Sequence, residues 1–219
     1  APKKEPETKG PKAYNQVITN KAKSSFGFMS VHKLDNRYFL EIPDSVTNRD
    51  LLVVNRISQS AADNRKGFTG YAGDIIGSDV IRFENGPNDK VFIRSISYSE
   101  RSNDSTGMYI SVQKSNVNTI LAAFDVKAYK TDTVTKTKNS VIDITDFVNG
   151  DNNLLFFSEA AKKNLTLGMY YSDRSYIDTI KAFPINVEIK TVKTYAHKPA
   201  SGNEIPRDPF TYELNSSIL

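Results

Sequence analysis

Apolar and polar residues alternate through most of this chain. On either side of Asp35-Asn36, the runs FGFMSVHKL (26–34) and RYFLEIP (37–43) set apolar residues close to every second position. That pattern predicts two strands joined as a β-hairpin. LLVVNRIS (51–58) opens as a continuous apolar run and predicts a buried strand. From Gln59 to Gly77 the composition turns to Ala, Gly, Asn and Asp, which predicts a long loop with one helical turn at most. DVIRFEN and KVFIRSISYSE then alternate about the turn GPND, a second hairpin.

The second half continues the pattern. MYISVQKSNVNT predicts a short helix or irregular segment leading into the strand ILAAFDVKAY, and SVIDITDFV predicts a strand that runs into the turn NGDNN. SEAAKKNL suits a short helix, with Ser158 as cap and Glu159 in its first turn. In SYIDTIKAF (175–183), Ser175 and Asp178 form a capping-box-like start. Tyr176, Ile177, Ile180 and Phe183 follow at helical spacing, so two helical turns are expected before Pro184. INVEIKTVKTY alternates with one change of register, the mark of a bulged or twisted strand, and FTYELNSSIL predicts one more.

The fold class that follows is mainly β: antiparallel sheets forming a sandwich or partial barrel, with two or three short helices. If SYIDTIKAF covered one sheet face, the fold would instead be α+β. Three parts are expected: a flexible basic tail at 1–22, a small N-terminal hairpin domain at 23–75, and a larger β-rich domain at 76–219. APKKEPETKGPK reads as the remainder of a processed leader, and the final strand pattern suggests that the polypeptide continues past Leu219.

The net charge of +4 suggests nucleic acid until it is located. Residues 1–25 hold six Lys against two Glu, and the rest is balanced between acid and base. A nucleic-acid partner requires a basic face on the folded body, so none is expected. The 219 residues include no Cys, which excludes disulfides, Cys-ligated zinc, iron–sulfur clusters and thiol nucleophiles. No apolar run is long enough to span a membrane.

Candidate chemistry is sparse. His32 and His197 are the only histidines, and neither sits in an HExxH or HxH spacing, so both suit surface or half-buried strand ends. No GxSxG elbow presents a serine nucleophile, and GFTGYAGDIIG fits neither GxGxxG nor a P-loop. Asp143, Asp146 and Asp151 lie close enough in sequence to offer oxygen ligands to calcium, though a strand end and a turn explain them equally. Asp173, Arg174 and Asp178 suit a local ion pair and cap. Tyr71, Tyr109 and Tyr170 fall at predicted loops or strand ends, where tyrosine suits peptide or glycan contact.

Five segments carry a resemblance: RYFLEIPDSVTNRDLLVVNRIS (37–58), VIRFENGPNDKVFIRSISY (80–98), ILAAFDVKAY (120–129), VIDITDFVNGDN (141–152) and DRSYIDTIKAFPINVEIKTVKTY (173–195). In this order they resemble the N-terminal region of large exported zinc-dependent metallopeptidases of Bacteroidota, of the metzincin type. That region comprises two domains of unknown function ahead of the peptidase domain. The resemblance implies a chain that is periplasmic, displayed on the cell surface or secreted. It also implies a zinc site, HExxHxxGxxH, in a catalytic domain absent from this sequence, with no cofactor in this chain. None of those zinc-binding or catalytic residues has a counterpart here. The expected role is therefore a non-catalytic accessory region that packs on or regulates the catalytic domain of the same polypeptide. The alternative is a β-rich module that binds glycan or peptide.

Overall fold

A computed structural model describes residues 10–61, 64–65, 67–98, 107–134, 136–198 and 208–219, with backbone alone at 108, 109, 112 and 113. The elements in the first half are β1 (Lys12–Ala13), α1 (Tyr14–Val17), β2 (Lys23–Ser25), β3 (Ser30–Leu34), β4 (Arg37–Ile42), β5 (Asp50–Ser60), β6 (Ile75–Gly86) and β7 (Lys90–Ser95). After α2 (Gly107–Ser115) come β8 (Ile120–Thr131), β9 (Lys138–Asp143), α3 (Thr145–Asn149), α4 (Glu159–Asn164) and β10 (Leu167–Tyr170). A single 3-10 turn, Ser172–Arg174, leads to β11 (Tyr176–Ala182), β12 (Val187–His197) and β13 (Phe210–Ile218).

The fold is mainly β, with a few short helices. Its strands form one 13-stranded sheet in the order β10-β12-β13-β5-β6-β7-β8-β9-β4-β3-β2, with β11 also on β12 and β1 on β8. Among the described residues all the ladders are antiparallel except the short parallel pair β1–β8. Segments 23–75 and 76–219 share this sheet, because β5 pairs with both β6 and β13, and β4 pairs with β9. Part of the expected tail is also built in. β7 leaves β8 at Asp125, and β1 takes the vacated edge at Ala128 and Tyr129.

The turns follow the local chemistry. Asp35 (φ 52), Asn88 (φ 57) and Asp89 (φ 52) adopt the left-handed conformation that short polar side chains tolerate, which allows the two hairpins their tight reversals. Ser158 accepts from Ala161 N at 3.2 Å and caps α4 as its sequence predicts.

Two expectations change. SYIDTIKAF is strand β11 rather than a helix. Ile177 lies opposite Thr191 and Thr179 opposite Lys190, so Asp178 is an extra residue in the ladder. That bulge shifts the side-chain phase, and the spacing of Ile177 to Ile180 imitates a helical face. Ser175 does not cap a helix: its hydroxyl donates to Tyr171 O and accepts from Thr194 N. The second change is in SVIDITDFV, which ends as a strand at Asp143. Asp143 Oδ1 then accepts from Thr145 N at 3.0 Å in an Asx-type turn that leads into α3.

The sheet curls around one core without closing. Val31, Leu40, Val53, Ile81, Phe83, Ile142, Ile189 and Leu214 point into it from strands all along the sheet. The segment Leu154–Phe157, buried throughout, fills the middle. β11, at one end, reaches the β2–β3 end through Phe28 N donating to Phe183 O (2.8 Å) and Ala182 N donating to Ser25 Oγ (2.9 Å). No ladder spans this seam among the described residues, so the sheet stays open.

Gly27 holds the seam shut, because a Cβ there would land on the Phe183 carbonyl. Gly27→Val is expected to lower stability by roughly 1–3 kcal/mol, the cost of overpacking, read as a lower urea midpoint. Gly107→Ala, where a Cβ meets open space, is the control that leaves the midpoint unchanged.

Candidate functional site

One open cleft, about 1140 Å³, lies where α4, β10 and the end of β12 meet. Its rim carries Lys162 and Lys163 from the last turn of α4, Gly168 and Met169 from β10, and His197 and Lys198. Among the described residues β10 pairs with β12 alone, so its outer edge carries no strand there. Met169 is 66% exposed there. Lys162 is bound at 2.9 Å to Asp151 and at 3.5 Å to Glu159. Lys163 and Lys198 meet no carboxylate among the described residues, so the rim has a local excess of positive charge.

Beneath this corner lies a residue that the sequence pattern hides. Lys193 is fully buried and faces inward with Val187, Ile189, Thr191 and Tyr195, an unbroken alternation along β12. Its Nζ donates to the carbonyls of Val148 (2.7 Å), Asn149 (2.8 Å) and Gly150 (2.9 Å). These oxygens belong to the C-terminal end of α3, where carbonyls lack partners in the helix and the dipole favours a cation. The ammonium also sits 4.4 Å from the ring centre of Phe156 and 5.1 Å from that of Tyr170. Burial pulls the Lys193 ammonium from its ordinary value of 10.5 down to about 7, and the Asp151 carboxylate pulls the opposite way.

The predicted site residues fall into separate surroundings. Asp143 and Asp146 share the guanidinium of Arg37, at 2.9 and 3.2 Å, at the start of α3. Asp151 lies past its end and accepts from Tyr195 Oη (3.0 Å) and Lys162 (2.9 Å). All three carboxylates are thus engaged by protein donors. Among the described residues no three His, Asp or Glu side chains are grouped to hold a metal ion. Tyr170 is half-buried, with its hydroxyl donating to Asn149 O and its ring tilted against Tyr195 at 5.5 Å, where burial raises its pKa. Tyr71 is 41% exposed in the β5–β6 loop, its ring 5.0 Å from the Arg65 guanidinium. The backbone of Tyr109 lies in α2, and its side chain lies outside the described residues. His197 stands against Phe210, and His32 lies buried beside Glu41. Asp173 and Arg174 form the expected local ion pair at 3.6 Å.

The arrangement at the cleft suits contact more than chemistry. It offers a strand edge that carries no further strand among the described residues, an exposed thioether and lysines, above a floor held by Lys193. Residues 73–219 match a family described as Domain of unknown function (DUF5117). The chain belongs to that family. Residues 11–60 of this DUF5117 chain also match a second description, Domain of unknown function (DUF5118). No curated protein and no solved structure matches it. Among the described residues of the DUF5117 chain, no helix is long and apolar enough to cross a membrane.

The depressed Lys193 value fixes the sign of a pH effect. The folded chain releases this proton near pH 7, whereas the unfolded chain holds it to about 10.5, so the unfolded state binds more protons between those values. Stability therefore rises with pH across that window. Urea midpoints are expected to be higher at pH 9 than at pH 7. Lys193→Met should abolish this rise. At pH 9 it should also be less stable than the unaltered chain by about 1–3 kcal/mol, since it leaves buried carbonyls unpaired.

Proposed function

We propose that this chain is a binding module, outside the peptidase chemistry, that takes up an extended polypeptide segment along β10. The observation that carries the reading is the composition of that edge. Free edges are ordinarily guarded by charge, and β2 has Lys23 while β11 has its Asp178 bulge and Lys181. β10 is LGMY, with no charged residue, no proline and an exposed Met169. An added strand would pair with its outer backbone groups, as in recognition by strand addition. Lys163 and Lys198 would select carboxylates on the incoming segment.

The sequence resemblance suggests where such a segment comes from. In the exported metallopeptidases that the chain resembles, two domains of unknown function precede a zinc-dependent catalytic domain, and that domain is the partner we propose. Zinc would belong to the partner, and this chain would contribute shape and contact. The glycan alternative draws less support from the tyrosines, since Tyr170 is engaged inside the fold.

Fluorescence anisotropy with a labelled peptide of alternating Asp and Val tests the site, with a Lys/Val peptide as its counterpart. Saturable binding of the acidic peptide is expected. It should weaken at least tenfold, about 1.4 kcal/mol, in the double variant Lys163→Glu/Lys198→Glu, and be lost in Met169→Pro. Equal binding of both peptides, or none of either, overturns the proposed site. The partner has its own test: the separately produced peptidase portion of the polypeptide should form a complex that the acidic peptide displaces.

A further inference from the structure

A second cluster lies on the opposite, outward face of the β2–β3–β4 sheet end and does not depend on the peptide-binding reading. Ser24 on β2 is directly opposite His32 on β3. His32 in turn faces Phe39 on β4, which brings Glu41, two residues on, to its diagonal on the same face. Ser24 Oγ is 2.7 Å from His32 Nδ1, and His32 Nε2 is 3.2 Å from Glu41 Oε2. His32 and Glu41 are 1% and 2% exposed, while Ser24 is open to solvent. α1 covers the pair through Tyr14, whose ring stands edge-on to His32 at 6.4 Å, and Phe26 flanks the imidazole from another side at 6.1 Å.

The protons can be assigned from the carboxylate outward. Burial alone would raise the Glu41 pKa, but hydrogen bonds from His32, Asn139, Tyr14 and Lys130 hold it down to about 2. Ionised at neutral pH, Glu41 only accepts, so Nε2 must carry the imidazole proton. In the neutral ring Nδ1 then presents its lone pair, and the Ser24 hydroxyl donates to it. A hydroxyl, a basic ring nitrogen and a buried carboxylate behind the ring form the nucleophile, base and orienting acid of acyl-transfer chemistry. The two ring nitrogens are exchanged relative to the usual Ser-His-Asp arrangement.

We propose that Ser24 is an activated nucleophile toward small, activated acyl esters, with His32 as its general base and Glu41 as the positioning residue. In the first step Ser24 Oγ forms a bond to the ester carbonyl carbon while its proton passes to His32 Nδ1. The bond from that carbon to the leaving oxygen then breaks, and the leaving oxygen takes the proton from His32. Water attacks the acyl-serine with the same proton route, giving the free acid and restoring Ser24. The aromatic edges of Tyr14 and Phe26 beside the imidazole favour short apolar or aryl acyl groups.

The test uses the full chain with p-nitrophenyl acetate and with a biotinylated fluorophosphonate, and locates the adduct by peptide mass spectrometry. A single adduct on Ser24 is expected, forming about 100-fold faster than in His32→Gln, in line with the usual contribution of a general base. Ser24→Ala should abolish it. Because His32→Gln alters a buried network, its circular dichroism and urea midpoint are measured alongside. Nitrogen NMR of the imidazole in the unaltered chain gives a readout independent of folding, and a protonated Nε2 with a bare Nδ1 is expected. No adduct on Ser24, an equal rate in a folded His32→Gln, or a proton on Nδ1 would each overturn the proposal and leave the three side chains with a structural role alone.

Discussion

A buried ammonium group must be surrounded by oxygen, and the corner of this fold that carries the cleft is arranged to meet that demand. Lys193 occupies an inward position on β12 that an apolar residue would ordinarily hold. Leaving its charge uncompensated would cost several kcal/mol. The chain answers by ending α3 at Lys193, so that the carbonyls of Val148, Asn149 and Gly150 serve as ligands in place of water. The cation satisfies the helix end, and the helix end satisfies the cation. α3 is too short to persist alone, so this contact fixes where it stops and how Asp151 and the following segment leave it.

The consequences reach the surface. With α3 fixed, Asp151 is placed to accept from Tyr195 and to hold Lys162 of α4, which sets α4 beside β10. Tyr170 closes over Lys193 from β10 and ties that edge strand to the same carbonyl end. Phe156, fully buried with φ 76, takes a backbone conformation unusual for a large side chain and presents its ring to the ammonium. The cleft rim is thus connected to the core through one charged group, and a substitution at Lys193 is felt at β10 through Tyr170.

Many of the strands of the chain were legible from alternation and turn chemistry. The Asp35-Asn36 and GPND hairpins and the cap at Ser158 needed no tertiary information. The failures share one cause: positions where pairing, rather than local pattern, decides the side-chain direction. In β11 the bulge at Asp178 gives strand residues a helical spacing. In β12, Thr191 and Lys193 hold inward places, so the apolar pattern changes register in the sequence where the ladder with β13 runs unbroken from Val187 to Tyr195. The candidate tyrosines were chosen for exposure, and Tyr170 is instead engaged within the fold. The three aspartates are near in sequence but divided by α3, whose two ends face different cations, Arg37 and Lys193. The lysine in an apolar row was the available signal for the missed residue, and a period-two reading kept through Val192 would have found it.

The Ser24–His32–Glu41 cluster was hidden for a related reason. On an isolated hairpin, His32 and Glu41 would lie on the solvent face, where such a pair contributes little. The segment before β2 changes that. Once β1 is seated on β8, α1 lays Tyr14 over the pair, and what was surface becomes a buried polar network. Burial makes every unpaired atom costly, so the network must be complete. Glu41 accepts from Tyr14, Asn139, Lys130 and His32, and among the described residues the remaining imidazole nitrogen meets Ser24 alone. The demand for a satisfied interior is therefore passed outward along a fixed chain of protons until it ends on a hydroxyl in contact with water. The same logic places the reactive end at Ser24 and not at Ser25, whose hydroxyl is committed to Ala182 across the seam.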